Sequence, residues 1–196
     1  MAAFRLLLIC CLWGVSFVWA HPHVFVDAKV KVVFDNIGFA AVNNQWVFDE
    51  LYSAAMMSSW DDNSDGVVSS AESSRLCHEI LDPLKSSNYY NYVLLETNFL
   101  KIEQLSNCGV AFKNNRLVLS FDIKFLKPAT TDYTMLVVAI ADPTNYIQIT
   151  ADMENADVDG PESIDVEYFN DGLAGLTLFR AFRSDIEGLY LRYKKK

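Results

Sequence analysis

Histidine is scarce in this sequence: His21, His23 and His78 are the only three in 196 residues. A Ser-His-Asp or Cys-His catalytic set would have to recruit one of them, and no glycine-rich phosphate loop offers nucleotide chemistry instead. Basic residues are also in deficit, 16 Lys+Arg against 25 Asp+Glu, for a net charge of −9. Such a balance argues against nucleic-acid binding and favours cationic partners. No internal repeat, low-complexity linker or second-domain boundary is visible. The longest apolar run, Leu6 to Val18, falls short of the roughly 20 residues that a comfortable membrane span needs.

That run follows Arg5 and ends in the small-residue site Val18-Trp19-Ala20, the pattern of a cleaved export signal. Neither Cys10 nor Cys11 has the preceding glycine or serine of a lipoprotein signal. The expectation is therefore a leader over residues 1–20 and a single periplasmic domain over 21–196. Removing the leader, with Arg5, leaves 176 residues carrying 15 basic and 25 acidic groups, a balance of −10.

Cleavage after Ala20 would expose His21-Pro22-His23 as a new N-terminus. The α-amine and the Nδ1 of an N-terminal histidine can close a chelate ring on one ion. A second histidine then adds another nitrogen of the kind zinc, nickel and copper prefer. Pro22 has no amide proton, which excludes the square-planar site built on a deprotonated second-residue amide. The plainer reading is that both histidines lead into a strand and face solvent. Only Cys77 and Cys108 lie beyond the leader, and in an oxidising compartment they are expected to pair. The rival is that Cys77 and His78 ligate a metal, although neighbours on a helix point about 100° apart.

From Val24 to Phe34 apolar residues alternate with Asp27, Lys29 and Lys31, predicting a half-buried strand. The turn Asp35-Asn36-Ile37-Gly38 and the run Phe39 to Phe48 complete a hairpin. Phe48, Leu51, Tyr52, Ala55, Met56 and Trp60 then recur at helical spacing, predicting an amphipathic helix whose aromatic stripe packs on the sheet. Its end runs into Asp61-Asp62-Asn63-Ser64-Asp65-Gly66-Val67-Val68-Ser69-Ser70-Ala71-Glu72. Read as a twelve-residue calcium loop, this gives side-chain oxygens at Asp61, Asn63 and Asp65, a sharp turn at Gly66, and the Val67 carbonyl. Ser69 would hold a water and Glu72 would bind with both oxygens. Ser69 and Glu72 also form a capping box for a helix from about Ser70 to Leu84. The alternative is an Asx-rich loop that caps a helix without metal.

Further on, residues 86–91 read as a polar connection. Tyr92 to Leu95 and Phe99 to Leu105 are short strand candidates. Gly109 to Phe112 and Leu117 to Phe125 form a hairpin around Lys113-Asn114-Asn115-Arg116, and Tyr133 to Ala141 is a central strand followed by Ile147 to Met153. Residues 152–171 hold eight acids and no Lys or Arg, the composition of a solvated loop or an acidic funnel for cations. Residues 173–196 reverse the sign, six basic against two acidic, and read as a terminus able to touch anionic lipid or a membrane partner.

Four stretches occur together and in order: His21 to Asp27, Trp46-Val47-Phe48-Asp49-Glu50-Leu51-Tyr52-Ser53, the Asp61 to Glu72 loop, and Asp142-Pro143-Thr144-Asn145-Tyr146. In these the chain resembles the DUF1007 family over roughly residues 20–153. The resemblance implies a periplasmic component of an uncharacterised ABC-type transport system, associated with NicO-type nickel/cobalt permeases and with zinc acquisition. His21 and His23 match the family's candidate metal ligands, and no catalytic residue carries over.

The combined expectation is an α+β domain, a mainly antiparallel sheet or sandwich with an inserted EF-hand-like helix-loop-helix. It would bind zinc, nickel or cobalt through His21 and His23, with His78 as a further candidate, and deliver the ion to an inner-membrane NicO-type or ABC-type permease. Calcium would be structural, held by Asp61, Asn63, Asp65, Val67, Ser69 and Glu72. A copper-dependent oxidative enzyme with an N-terminal histidine site and a calcium-dependent interaction module are the alternatives.

Overall fold

The computed structural model describes residues 24–176, 179 and 186–196. The expected leader and both N-terminal histidines, His21 and His23, lie outside the described residues.

The alternation at the start of the chain produces β1, Val24–Phe34, with Val24, Val26, Ala28, Val30, Val32 and Phe34 all buried on one face. Its turn is closed by Asp35, whose Oδ1 accepts from Ile37 N (2.7 Å) and Gly38 N (3.0 Å). This aligns β2, Gly38–Phe48, antiparallel to β1. The far side of β2 takes β6, Arg116–Pro128, which is joined to β5, Gln104–Lys113, through Asn114 and Asn115 at φ +50° and +60°. Positive φ at both central positions is the signature of a hairpin turn that matches strand twist, and asparagine tolerates it. On the free side of β1, β8 (Ile147–Ala151) and then β9 (Asp157–Asp159) pair with it in parallel.

A second, wholly antiparallel sheet has the order β10 (Ile164–Gly172), β11 (Glu187–Lys195), β7 (Thr134–Ile140), β3 (Asn91–Leu95) and β4 (Asn98–Phe99). The inner faces of both sheets share one core, including Trp46, Phe121, Ile123, Leu136, Val138, Leu191 and Tyr193. Trp46 meets Phe121 edge-on at 5.1 Å and stacks on Tyr90 at 6.5 Å. The architecture is a mostly antiparallel, mixed two-sheet α+β fold.

Two helices fall between β2 and β3: α1, Glu50–Trp60, and α2, Ser70–Leu81. The apolar periodicity misplaced the inner face of α1. Leu51 is 82% exposed, while the fully buried positions are Ser53 and Met57, with Tyr52, Met56 and Trp60 partly covered. Ser53 belongs inside because its hydroxyl donates to Asp49 O (2.6 Å) and accepts from Leu117 N (2.8 Å), joining α1 to the start of β6. Helix α2 is fixed to β5 by the Cys77–Cys108 disulfide, Cα–Cα 6.1 Å, and by Val110 N donating to Ser73 Oγ (2.8 Å). Cys77 is therefore no thiolate ligand.

Two other expectations change. The acidic segment is not merely a loop, because cations from other elements hold part of it: Lys31 bridges Asp157 (3.3 Å) and Asp159 (3.0 Å), and Arg192 holds Glu167. With those charges neutralised, the chain forms β9 and β10. The basic C-terminal segment ends in β11, an interior strand in which Leu189, Leu191 and Tyr193 alternate into the core.

Candidate functional site

The first strand begins against two loops that the sequence holds far apart. Phe25 N donates to Asp49 Oδ2 (2.9 Å) and Phe25 O accepts from Asp49 N (2.9 Å). The other oxygen, Asp49 Oδ1, accepts from Tyr52 N (2.9 Å) and caps α1. One carboxylate thus fastens strand to helix, with both oxygens spent on backbone N–H groups. Replacing Asp49 with alanine is expected to cost about 2 kcal/mol, since a cap and a strand contact are lost together. Urea unfolding would measure it, with faster amide exchange at Phe25; an unchanged midpoint would show that the fastening lies elsewhere.

The other flank of β1 is set by the parallel register Val24 to Ile147, which brings the turn before β8 alongside. Asp142, buried, organises that turn. It accepts from Thr144 N (2.8 Å), Thr144 Oγ1 (2.7 Å), Tyr146 N (3.0 Å) and Ile147 N (2.9 Å). Tyr90 also hydrogen bonds to this carboxylate; burial first, then the Asp142 charge, pushes its phenol up to about 12. Asn88, Tyr89 and Tyr90 reach this arrangement through three successive left-handed residues, φ +53°, +50° and +55°. Tyr52 stacks on Phe48 at 4.8 Å. Its phenol is likewise pushed up to about 12, by burial and then by the charges of Glu79, Tyr146 and Asp49. Phenols held this firmly protonated act as hydrogen-bonding groups at neutral pH rather than as anions.

The motifs around Asp49 and Asp142 therefore converge on the start of β1, where the His21-Pro22-His23 motif joins it. His23 directly precedes Val24 in the sequence. Reading the sequence for ligands overlooked Asp49, Tyr52, Tyr90 and Asp142 as the residues shaping this end. Their signals were present: an Asp before a helix is an N-cap, and Asp-Pro-Thr is an Asx turn.

The Asp61–Glu72 segment joins α1 to α2. Asp61 Oδ2 accepts from Gly66 N (2.8 Å), Asn63 Oδ1 from Asp65 N (3.2 Å), and Asp65 Oδ1 from Val67 N (2.8 Å). Gly66 has φ +75°, the left-handed turn that favours glycine. Glu72 caps α2: its Oε2 accepts from Ser69 N (2.8 Å), Ser69 Oγ accepts from Glu72 N (3.3 Å), and Oε1 accepts from Asp62 N (3.0 Å). These bonds, those with Ser69 foremost, hold the Glu72 carboxyl below its ordinary value of 4.5. A lowered value means that the stabilisation is complete above the unfolded value and disappears as pH falls through the folded one. Glu72→Gln is therefore expected to flatten the acid side of a stability–pH curve below about pH 4.5; an unaltered acid limb would remove Glu72 from that role.

His78 is 78% exposed on α2, its Nδ1 3.4 Å from Asp82 Oδ2. Trp60, Arg75, Glu79 and Pro83 surround it in a shallow groove. Among the described residues no group of three or more His, Cys, Asp or Glu side chains is placed to hold a metal ion. Nor is any helix among them long and apolar enough to cross a membrane.

These contacts place a polar convergence at one strand end of a two-sheet α+β domain. The chain belongs to the DUF1007 family: residues 6–168 match a family described as "Protein of unknown function (DUF1007)". It is also similar to an uncharacterized protein of Haemophilus influenzae, 24% identical over 135 residues. That match takes in 68% of this chain and 64% of the other, so the chain spans just under two thirds of the relative's length.

Proposed function

We propose that the processed chain is a periplasmic carrier of a transition metal, zinc, nickel or cobalt, that delivers its ion to an inner-membrane NicO-type or ABC-type permease. The observation that carries this reading is the convergence at the start of β1. A rigid strand end, fixed by Asp49 on one side and by the Asp142 turn on the other, is what a short chelating terminus needs as an anchor. The ligands would be the α-amine, His21 and His23. A site at a chain end loads and releases by ligand exchange, because one nitrogen can dissociate before the others, unlike the closed shell of a structural zinc site.

A finer element of the reading is that the Asp61–Glu72 segment is an EF-hand-like calcium loop. Asp61, Asn63, Asp65, the Val67 carbonyl, Ser69 through a water, and Glu72 supply the hard oxygen donors that calcium takes. Gly66 and the inward Asx turns support it. Glu72 would have to give up its bonds to Asp62 N and Ser69 N to complete the shell, so calcium would compete with the helix cap.

The deciding experiment compares zinc and nickel titrations of the processed chain with those of a version carrying one extra residue before His21. The extension is expected to weaken binding about a hundredfold, because the terminal amine leaves the chelate ring. Affinity should also fall below about pH 6, where imidazoles protonate. Equal affinities in the two versions, or affinity flat from pH 5 to 8, would defeat the proposal.

A further inference from the structure

The edge of the sandwich beside β8 carries a groove of about 350 Å³. Its lining includes all five consecutive residues of β8, Ile147 to Ala151. Side chains of a strand alternate between faces, so a cavity lying over one face would touch only every second residue. A cavity touched by every residue runs along the strand's backbone edge. No strand pairs with that edge among the described residues.

The hydrogen bonds show which groups the edge offers. Asp152 N donates to Ala28 O (2.9 Å), which turns the even-numbered residues of β8 toward β1. In a parallel ladder the odd-numbered ones then face outward. Ile147 N confirms the parity, because it leaves the ladder to bond Asp142 Oδ2 (2.9 Å). Ala151 O is taken by Met153 N (3.0 Å). Ile147 C=O, Ile149 N–H and C=O, and Ala151 N–H thus point into the groove, an alternating set spaced for an extended chain. Ile140, Ile147, Ile149 and Ile186 give it apolar walls, and Asp142 and Glu187 are its charged lining residues.

We propose that this groove is a strand-addition site for an extended peptide segment of another protein, with apolar side chains alternating with Lys or Arg. Main-chain bonds to the β8 edge supply affinity, the isoleucine walls select the apolar side chains, and the exposed Glu187 carboxylate selects the basic ones. A second copy of this chain, at net −9, would bring acid against acid.

The test titrates the ¹⁵N-labelled processed chain, free of metal, with a blocked hexapeptide alternating lysine and valine. Amide signals of residues 147–151 are expected to shift and saturate. N-methylation of every second amide should weaken binding at least about tenfold, since two or more hydrogen bonds are lost. Replacing lysine by glutamate should weaken it similarly, and Glu187→Gln in the protein by about threefold with the melting temperature unchanged. No saturable shift, equal binding by the N-methylated peptide, or shifts confined to β10 or β4, the edge strands of the other sheet, would overturn the proposal.

Discussion

Replacing both His21 and His23 with alanine is expected to weaken zinc or nickel binding by the processed chain at least about a thousandfold, a loss of roughly 4 kcal/mol. The proposed ion is held by the amine and two imidazoles, so the double variant keeps one monodentate nitrogen and loses both chelate rings. The contacts that fasten β1 begin at Val24 and Phe25 and use Asp49 and β8. The substitutions should therefore leave circular dichroism and the melting temperature of the metal-free protein unchanged. Calorimetric titration at pH 7.5 measures the effect, and a loss under threefold with both histidines gone would place the metal elsewhere. His78→Ala serves as the internal comparison: exposed and paired with Asp82, it is expected to change affinity less than about twofold.

Removal of the Cys77–Cys108 bridge by a double serine substitution is expected to lower stability by about 3.7 kcal/mol, the chain-entropy value for cysteines 31 residues apart. For a domain stable by only about 5–15 kcal/mol this is a large fraction. The bridge ties α2 to β5 across a connection made of the 3₁₀ segment Asp82–Tyr90 and the brief strands β3 and β4. With the bridge gone, Val110 N to Ser73 Oγ still joins helix and strand, so the native spectrum should be retained while the urea midpoint falls. A fall below about 1 kcal/mol would mean that the unbridged chain remains as restricted as the bridged one.

Sequence reading succeeded where one side of an element is uniformly buried. β1 and β6 repeat apolar residues at every second position, and β7 is apolar from Met135 to Ile140 because it lies inside its sheet. It failed where burial is decided by a partner remote in the chain. Ser53 goes inside because Leu117 N, 64 residues away, needs an acceptor, while Leu51 is left in solvent. The acids of 152–171 become strands because Lys31, Tyr133 and Arg192 meet them from other elements. The parallel docking of β8 and β9 on β1 has no local signal, since both partners must be known before either can be placed. The candidate site divides similarly: the proposed nitrogen ligands and the Asp61–Glu72 pattern are contiguous and readable, whereas the meeting of Asp49 with Phe25 is not.

The position of β11 governs when this protein can take shape. Residues 187–195 are inserted between β10 and β7, so until they are in place β10 has no partner in its sheet and β7 has only β3. The opening strand waits almost as long, its flank being filled only by residues 147–159. The second sheet therefore closes only once a segment remote from β3 and β4 in the chain has docked. Deleting residues 187–196 should prevent assembly of the whole body, because an interior strand of the second sheet is lost.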